Sequence, residues 1–153
     1  MSSVTLTPIA FVKSPRQTPD DDNWGNIISE IKLVPGIPEE AFFNIEDFSH
    51  LEILFYFNVS DEVKYAYARH PRGNEAYPLT GIFAQRNKDR PNHIGLTTVQ
   101  LIAHNGRTIT VKGLDAINGT PILDIKPVFK EYTPKGEISQ PEWVADLMKN
   151  YWK

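Results

Sequence analysis

The amino-acid sequence predicts a mostly β protein, a small closed or nearly closed β-barrel with short helices and a C-terminal helix. Twelve prolines and nine glycines divide the chain into short apolar runs. These runs are rich in β-branched and aromatic residues, which is typical of strands. Because closure removes the unpaired edges of a sheet, several short strands with few helices favour a barrel over a flat sheet.

Eight segments have the composition of strands, and two of them show a diagnostic pattern. Residues 51–57 are almost continuously apolar, broken only by Glu52, which predicts a central strand covered on both faces. Residues 63–69 alternate with period two, which predicts one face exposed to water. Asn105 and Gly106 predict a tight turn between two antiparallel strands. The predicted strands are residues 6–12, 27–33, 51–58, 63–69, 80–84, 94–103, 108–112 and 121–125.

Signals for a helix start occur at two places. Pro38 is followed by two acidic residues, which favour the positive end of a helix dipole, and this short segment ends by Asp47. Pro141 and Glu142 begin a C-terminal helix in the same way. The apolar stripe of that helix consists of Val144, Leu147, Met148 and Tyr151. Such a stripe requires a surface to cover.

The composition fits a single domain spanning residues 1–153, since 41% of the residues are apolar and no metal or disulfide is needed to complete a core. The absence of cysteine excludes disulfides, thiolate nucleophiles and cysteine-ligated zinc. His70, His93 and His104 lack the spacing of metal ligands, so we predict no metal site. The sequence shows neither a signal peptide nor a membrane span, so we expect a cytoplasmic protein.

The net charge of -3 hides an uneven distribution of charge. Residues 64–107 contain seven Lys or Arg and two acids, so the rest of the chain has nine of the 16 basic and 17 of the 19 acidic residues. The basic segment is either ordinary solvated surface or a local anion-binding face.

Four stretches are too specific to be explained by the scaffold alone. They are residues 8–15 (PIAFVKSP), residues 47–55 (DFSHLEILF), residues 81–86 with 90–96 (GIFAQR and RPNHIGL), and residues 114–127 (LDAINGTPILDIKP). We call them motifs one to four. In this order and at these separations they resemble the TrmO/TsaA-like (YaeB-like) family over roughly residues 8–128.

The resemblance implies a small β-barrel, usually a homodimer, that binds S-adenosylmethionine unlike the Rossmann-type methyltransferases. Consistently, the chain has no strand followed by G-x-G-x-x-G. The best-known family members methylate N6 of threonylcarbamoyladenosine next to the tRNA anticodon. The cofactor contacts carried over onto this chain are Arg16, Gln17, Asn58, Val59, Arg86, Leu96, Lys112, Gly113, Leu114 and Asp115.

The chemistry of the cofactor suits three of these residues in particular. S-adenosylmethionine has a carboxylate, an ammonium group, a sulfonium, a ribose and an adenine, so its site needs basic, acidic and apolar groups. Arg86 would bind the carboxylate, Asp115 the ammonium or a ribose hydroxyl, and Leu96 the adenine face. The alternatives are that Asp115 is a local cap and that Leu96 belongs to the core.

The chain departs from the family pattern after Arg16 and Gln17. Three acidic residues, Asp20 to Asp22, and then Trp24 follow these two cofactor residues. The acidic run either repels phosphate or is a solvated turn. Trp24 either stacks on a base or on a sulfonium, or anchors the loop.

The acceptor is the part of the prediction with open alternatives. The resemblance implies methylation of threonylcarbamoyladenosine in tRNA or of a related acceptor, and Lys88 and Arg90 would then contact phosphate. The alternatives are a module that binds the cofactor without turnover and a methyltransferase with a small-molecule acceptor.

Neither a catalytic residue nor a partner follows from the motifs directly. A sulfonium is already activated, so alignment supplies most of the rate of methyl transfer, and no catalytic residue is assigned. His50 is either a base or a structural histidine. A homodimer is expected from the resemblance and from the need to bury the helix stripe, Tyr151 and Trp152.

Overall fold

A closed antiparallel β-barrel forms the body of the protein, as the sequence predicted. The computed structural model describes residues 2–58 and 64–153. Six of the strands close the barrel in the order β1-β2-β7-β6-β3-β8, with β8 pairing back to β1, and β4 pairs with β5 in a separate sheet. The strands are β1 (Ala10–Lys13), β2 (Ile28–Leu33), β3 (His50–Tyr56), β4 (Ala68–Arg69), β5 (Thr80–Gly81), β6 (Ile94–Asn105), β7 (Thr108–Lys112) and β8 (Pro121–Pro127).

The barrel interior is apolar because alternate residues of each strand point inward. In β3 the inward residues Leu51, Ile53 and Phe55 are buried, whereas the outward residues between them are half-buried. The prediction that residues 51–57 form a strand covered on both faces is therefore wrong. In a closed barrel every strand has two neighbours, and the outer face of β3 is only partly covered.

The two poorest strand predictions fall outside the barrel. Residues 64–67 are irregular, and strand pairing in the described part of residues 63–69 is confined to β4. In residues 80–84, β5 gives way at once to a 3-10 turn, Ile82–Ala84. That turn buries Ile82 and leaves Phe83 exposed. Residues 63–69 have the aromatic alternation of a strand, but neither their described part nor residues 80–84 have a long partner strand. Strand formation depends on such pairing.

Most of the helical turns are short. Both predicted helix starts are confirmed, the first as two 3-10 turns and the second as a true α-helix. The 3-10 turns are Glu39–Phe42, Ile45–Asp47, Pro71–Gly73, Ile82–Ala84, Pro91–His93 and Lys130–Tyr132, and the α-helix α1 is Glu142–Met148. None of the helices among the described residues has the length and apolar character needed to cross a membrane.

Motifs one and four meet where the barrel closes between β1 and β8. The side-chain oxygen of Asn118 accepts a hydrogen bond from the Ser14 backbone N–H at 3.1 Å. The Asn118 N–H donates to the Arg16 carbonyl, and the Gly119 N–H donates to the Val12 carbonyl, each at 2.8 Å. These bonds satisfy buried backbone groups at the closure. The two motifs therefore share a structural role in addition to any role in binding.

The β6–β7 hairpin is tied to the turn Ile45–Asp47 through His104. The Nδ1 atom of His104 lies 2.8 Å from a carboxylate oxygen of Glu46, and its Nε2 atom lies 2.8 Å from the Gly106 carbonyl oxygen. Both partners accept hydrogen bonds, so the arrangement favours the doubly protonated ring. The bond to Glu46 and then the bond to Gly106 raise the pKa of His104.

This tie makes a testable contribution to the pH dependence of stability. Because the pKa of His104 is raised on folding, its contribution is full below the ordinary value of 6.5 and is lost as pH rises through the folded value. We expect the unfolding temperature of the wild type to fall from pH 6 to pH 8 more than that of His104→Gln. His50→Gln, a change at an exposed histidine, is the control. Parallel pH profiles of His104→Gln and the wild type would contradict the assignment.

Candidate functional site

The first part of the site is a contact between the two halves of motif three. Arg86 follows the turn Ile82–Ala84, and its guanidinium donates a hydrogen bond to the carbonyl oxygen of Leu96 on β6 at 2.6 Å. The side chain of Leu96 points outward and is 44% exposed. Leu96 is therefore not a core residue, and it offers an apolar surface beside the guanidinium of Arg86.

Asp115 lies beside the same stretch of β6. The hydroxyl group of Thr97 donates to one carboxylate oxygen of Asp115 at 2.5 Å, and the hydroxyl group of Tyr151 donates to the other. Both bonds come from residues distant in sequence, so Asp115 is not a cap of its own turn. Thr97 directly follows Leu96, so Arg86 of motif three and Asp115 of motif four are bonded to neighbouring residues of β6, Arg86 to the backbone of Leu96 and Asp115 to the buried side chain of Thr97.

Tyr151 is a residue of this site that sequence reasoning placed elsewhere. It was expected to be exposed and to need a partner subunit, but it is half-buried against its own chain. Burial, followed by the negative charge of Asp115 and the hydrogen bond to it, raises the pKa of Tyr151 far above its ordinary value of 10.0. The hydroxyl therefore remains a donor throughout the physiological pH range. No local sequence signal links it to a carboxylate 36 positions earlier.

Residues 112–114 position Asp115 through the backbone. Lys112 ends β7, where it pairs with Ile28, and the Gly113 N–H donates to the Ile27 carbonyl at 2.9 Å. Leu114 is fully buried in the core. Any contact of Leu114 with a ligand would therefore involve its backbone rather than its side chain.

Arg16 and Trp24 organise the acidic loop. The Arg16 guanidinium stacks over the Trp24 ring at 4.4 Å and donates to the carbonyl oxygens of Asp22 and Asn23 at 2.9 and 2.6 Å. It also pairs with Asp20 at 3.3 Å. Trp24 is 2% exposed, so it anchors the loop, and the alternative in which it stacks on a ligand is wrong. Gln17 is exposed, and its amide nitrogen lies 3.4 Å from the Ser14 carbonyl oxygen.

Of the two predicted contacts after motif two, the structure describes Asn58. Asn58 is exposed, and the preceding residue Phe57 is held by a 2.8 Å bond from its N–H to the His93 carbonyl. No described hydrogen bond joins Asn58 to Arg86 or Asp115. Val59 lies outside the described residues.

The basic side chains of the loop with Lys88 and Arg90 are engaged within the protein. Arg90 donates to the Gln85 carbonyl at 2.7 Å. Asp89 pairs with Lys88 at 3.4 Å and with Arg69 at 3.6 Å. Lys88 remains 38% exposed, so it can still reach a phosphate. Surface pairs of this kind are weak and exchange readily.

The chemistry of the site fits S-adenosylmethionine. The guanidinium of Arg86 is bonded to Leu96, the Leu96 side chain is exposed, and the carboxylate of Asp115 is bonded to Thr97. These groups suit a carboxylate, an adenine face and an ammonium or hydroxyl group. Among the described residues, no group of three His, Asp or Glu side chains is arranged to hold a metal ion.

Solved structures show the same barrel. A crystal structure of TrmO has a TM-score of 0.74 at 24% identity and covers 91% of this chain and 64% of that one. TrmO from Pseudomonas aeruginosa has a TM-score of 0.72 at 24% identity and covers 90% of this chain and 61% of that one. The fold is thus that of the TrmO-type barrel.

The family follows from the sequence comparison. The family model of the tRNA-methyltransferase O N-terminal domain matches residues 10–133, and the chain belongs to that family. A human tRNA (adenine(37)-N6)-methyltransferase is 41% identical over 114 residues, which are 74% of this chain and 25% of that protein. A probable S-adenosyl-L-methionine-binding protein from Methanothermobacter thermautotrophicus is 32% identical over 136 residues, or 87% of this chain and 96% of that protein. The chain thus spans about a quarter of the length of its human relative.

Proposed function

We propose that this protein binds S-adenosylmethionine beside Leu96 and transfers its methyl group to N6 of an adenosine in tRNA. The observation that carries the proposal is that Arg86 and Asp115, from motifs three and four, are bonded to the neighbouring residues Leu96 and Thr97 of β6. The names of the relatives support both halves of the proposal. The human relative is a tRNA (adenine(37)-N6)-methyltransferase, and the archaeal relative is a probable S-adenosyl-L-methionine-binding protein.

The residues divide the work of holding the cofactor. Arg86 binds the carboxylate, Asp115 the ammonium group or a ribose hydroxyl, and Leu96 covers the adenine face. When bound, the sulfonium supplies a methyl group that is already activated for transfer. The contribution of the chain is to fix the orientation of the cofactor and the acceptor, which accounts for most of the rate of such a reaction.

The finer proposal is that the acceptor is threonylcarbamoyladenosine next to the anticodon. Exposed aromatic side chains support the proposal that the acceptor is a single-stranded part of a nucleic acid. Tyr67 is 73% and Phe83 is 77% exposed, and they are neighbours because the Ile82 N–H donates to the Tyr67 carbonyl at 2.8 Å. Aromatic side chains next to basic residues are a common platform for unpaired bases.

The second candidate is a small acceptor, or binding without turnover. The observation that favours it is the acidic loop, where Asp22 pairs with Arg72 at 3.0 Å and so neutralises one of the basic residues. Transfer of radiolabelled methyl groups to total tRNA separates the two candidates. Label in tRNA supports the first, and cofactor binding without label in tRNA supports the second.

Charge reversal at Lys88 tests the proposed RNA contact. We expect Lys88→Glu to lower kcat/KM for tRNA by about 5- to 30-fold, because a charge-assisted phosphate contact is replaced by repulsion. The affinity for S-adenosylmethionine should stay within about 2-fold, since the two contacts belong to different ligands.

Lys126→Glu is the matched control for this change. Lys126 is exposed on β8, outside the basic segment, and also pairs with a neighbouring aspartate, Asp124. Equal transfer by Lys88→Glu and the wild type, or no label in tRNA from either, would end the RNA assignment.

The homodimer remains a prediction based on the resemblance. Exposed residues give a weaker argument for a dimer than the sequence indicated, because Tyr151 is bound within its own chain and Val144, Leu147 and Met148 are half-buried. Trp152 is 46% exposed and is the part of that argument that still favours a partner.

A further inference from the structure

The C-terminal tail, residues 149–153, is bound to the body of the protein by its backbone. The Asn23 N–H donates to the Asn150 carbonyl at 3.1 Å, and the Trp24 N–H donates to the Tyr151 carbonyl at 2.8 Å. Gly25 lies directly against the backbone of Trp152, since an added Cβ atom at Gly25 would lie 1.9 Å from the Trp152 carbonyl oxygen. The loop that departs from the family pattern is thus the surface on which the tail lies.

A further tie holds the helix from which the tail emerges. The hydroxyl group of Tyr77 donates to a carboxylate oxygen of Asp146 at 2.5 Å, and the Tyr77 ring lies 6.0 Å from that of Trp143. The helix and the tail are therefore fixed at separate points. Tyr151 does not reach Asp115 through a freely moving end of the chain.

The bonds at Asp115 leave its charge available to a ligand. Among the described residues, its carboxylate is held by the neutral hydroxyl groups of Thr97 and Tyr151 rather than by a cation. Each carboxylate oxygen has two lone pairs, so each can accept a further hydrogen bond. Two neutral donors therefore fix the direction of the carboxylate while its negative charge remains to attract a cation.

We propose that the C-terminal tail completes the cofactor site and that Tyr151 is a positioning residue that orients Asp115 for the cofactor. This inference rests on the proposed function. It extends the site beyond residues 10–133, where the family model matches. The raised pKa of Tyr151 agrees with it, because the hydroxyl stays protonated and keeps donating to the carboxylate.

Tyr151→Phe removes the hydroxyl and retains the ring. The affinity of this variant for S-adenosylmethionine and S-adenosylhomocysteine, measured by calorimetry, should be lower than that of the wild type by about 5- to 20-fold. This is the effect of one lost hydrogen bond to a charged group. Gly25→Ala should produce a similar loss, because the added Cβ displaces the tail. Tyr132→Phe is the matched control, since Tyr132 is 82% exposed and lies in the 3-10 turn Lys130–Tyr132.

A double-mutant cycle separates positioning from a merely structural effect. In the Asp115→Asn background, Tyr151→Phe should change the affinity by less than about 2-fold, because the carboxylate that it orients is gone. Wild-type affinity in Tyr151→Phe would overturn the inference, and so would an undiminished effect in the Asp115→Asn background. If the wild type itself binds neither ligand, the proposed function fails and this inference fails with it.

Discussion

Replacing Phe55 by alanine is expected to lower the free energy of unfolding by about 3 to 5 kcal/mol, as is usual for truncation of a buried aromatic side chain. Phe55 is 1% exposed and fills the barrel interior opposite Gly95 on β6. A Cβ atom at Gly95 would lie 2.5 Å from the Phe55 ring, so the missing side chain of one residue makes room for the other. Alanine at position 55 would leave a cavity that the closed barrel cannot easily collapse.

Urea unfolding measures this loss directly. Phe43→Ala is the matched control, since Phe43 is 66% exposed, and it should change the free energy of unfolding by less than about 0.5 kcal/mol. The expected loss at Phe55 is a large part of the total free energy of unfolding, which is roughly 5 to 15 kcal/mol for a typical domain. Similar unfolding midpoints for Phe55→Ala and Phe43→Ala would contradict the packing described for the barrel.

The second large effect is expected at Arg86, where alanine should weaken binding of S-adenosylmethionine by about 10- to 150-fold. This corresponds to about 1.5 to 3 kcal/mol for a lost charge-assisted contact to the cofactor carboxylate. Methylthioadenosine lacks the amino-acid part of the cofactor, so its affinity should stay within about 2-fold. Calorimetric titration of both ligands gives the comparison.

This choice of ligands also tests the structural alternative for Arg86. Its guanidinium donates to the Leu96 carbonyl, so the side chain also supports β6. An equal loss for both ligands would mean that Arg86 serves the fold of the site rather than the carboxylate. Unchanged affinity for S-adenosylmethionine would remove Arg86 from the site. Arg86→Lys keeps the charge but loses the planar set of donors of the guanidinium. Its affinity for S-adenosylmethionine should therefore lie between those of the wild type and Arg86→Ala.

The barrel could be predicted from the sequence because its strands carry their own signal. β2 and β7 were placed within one residue, since each combines β-branched residues with clear boundaries. The hairpin turn was also predicted, although pairing of Asn105 with Thr108 places its two central residues at Gly106 and Arg107. Residues 64–67 also have a strand-like pattern, an alternation of aromatic residues, but they are irregular in the structure. Alternation describes which side a residue would face, whereas pairing depends on a partner distant in sequence.

The candidate site was also predictable only in part, because local sequence identifies its residues but does not show which distant residues contact them. Arg86, Leu96 and Asp115 belong to motifs that identify the family, and in the structure Arg86 and Asp115 are bonded to the neighbouring β6 residues Leu96 and Thr97. Tyr151 could not be placed, because its contact depends on the path of the tail over Asn23 and Trp24. A helix stripe shows that a side chain needs burial, but it does not show which surface buries it.

Titration of the wild-type protein with S-adenosylmethionine in a calorimeter tests the central claim most directly. We expect binding at one site per chain, competition by S-adenosylhomocysteine, and a rise in unfolding temperature with either ligand. Absence of both heat and a thermal shift with both ligands would contradict the claim that this barrel is a cofactor-binding site.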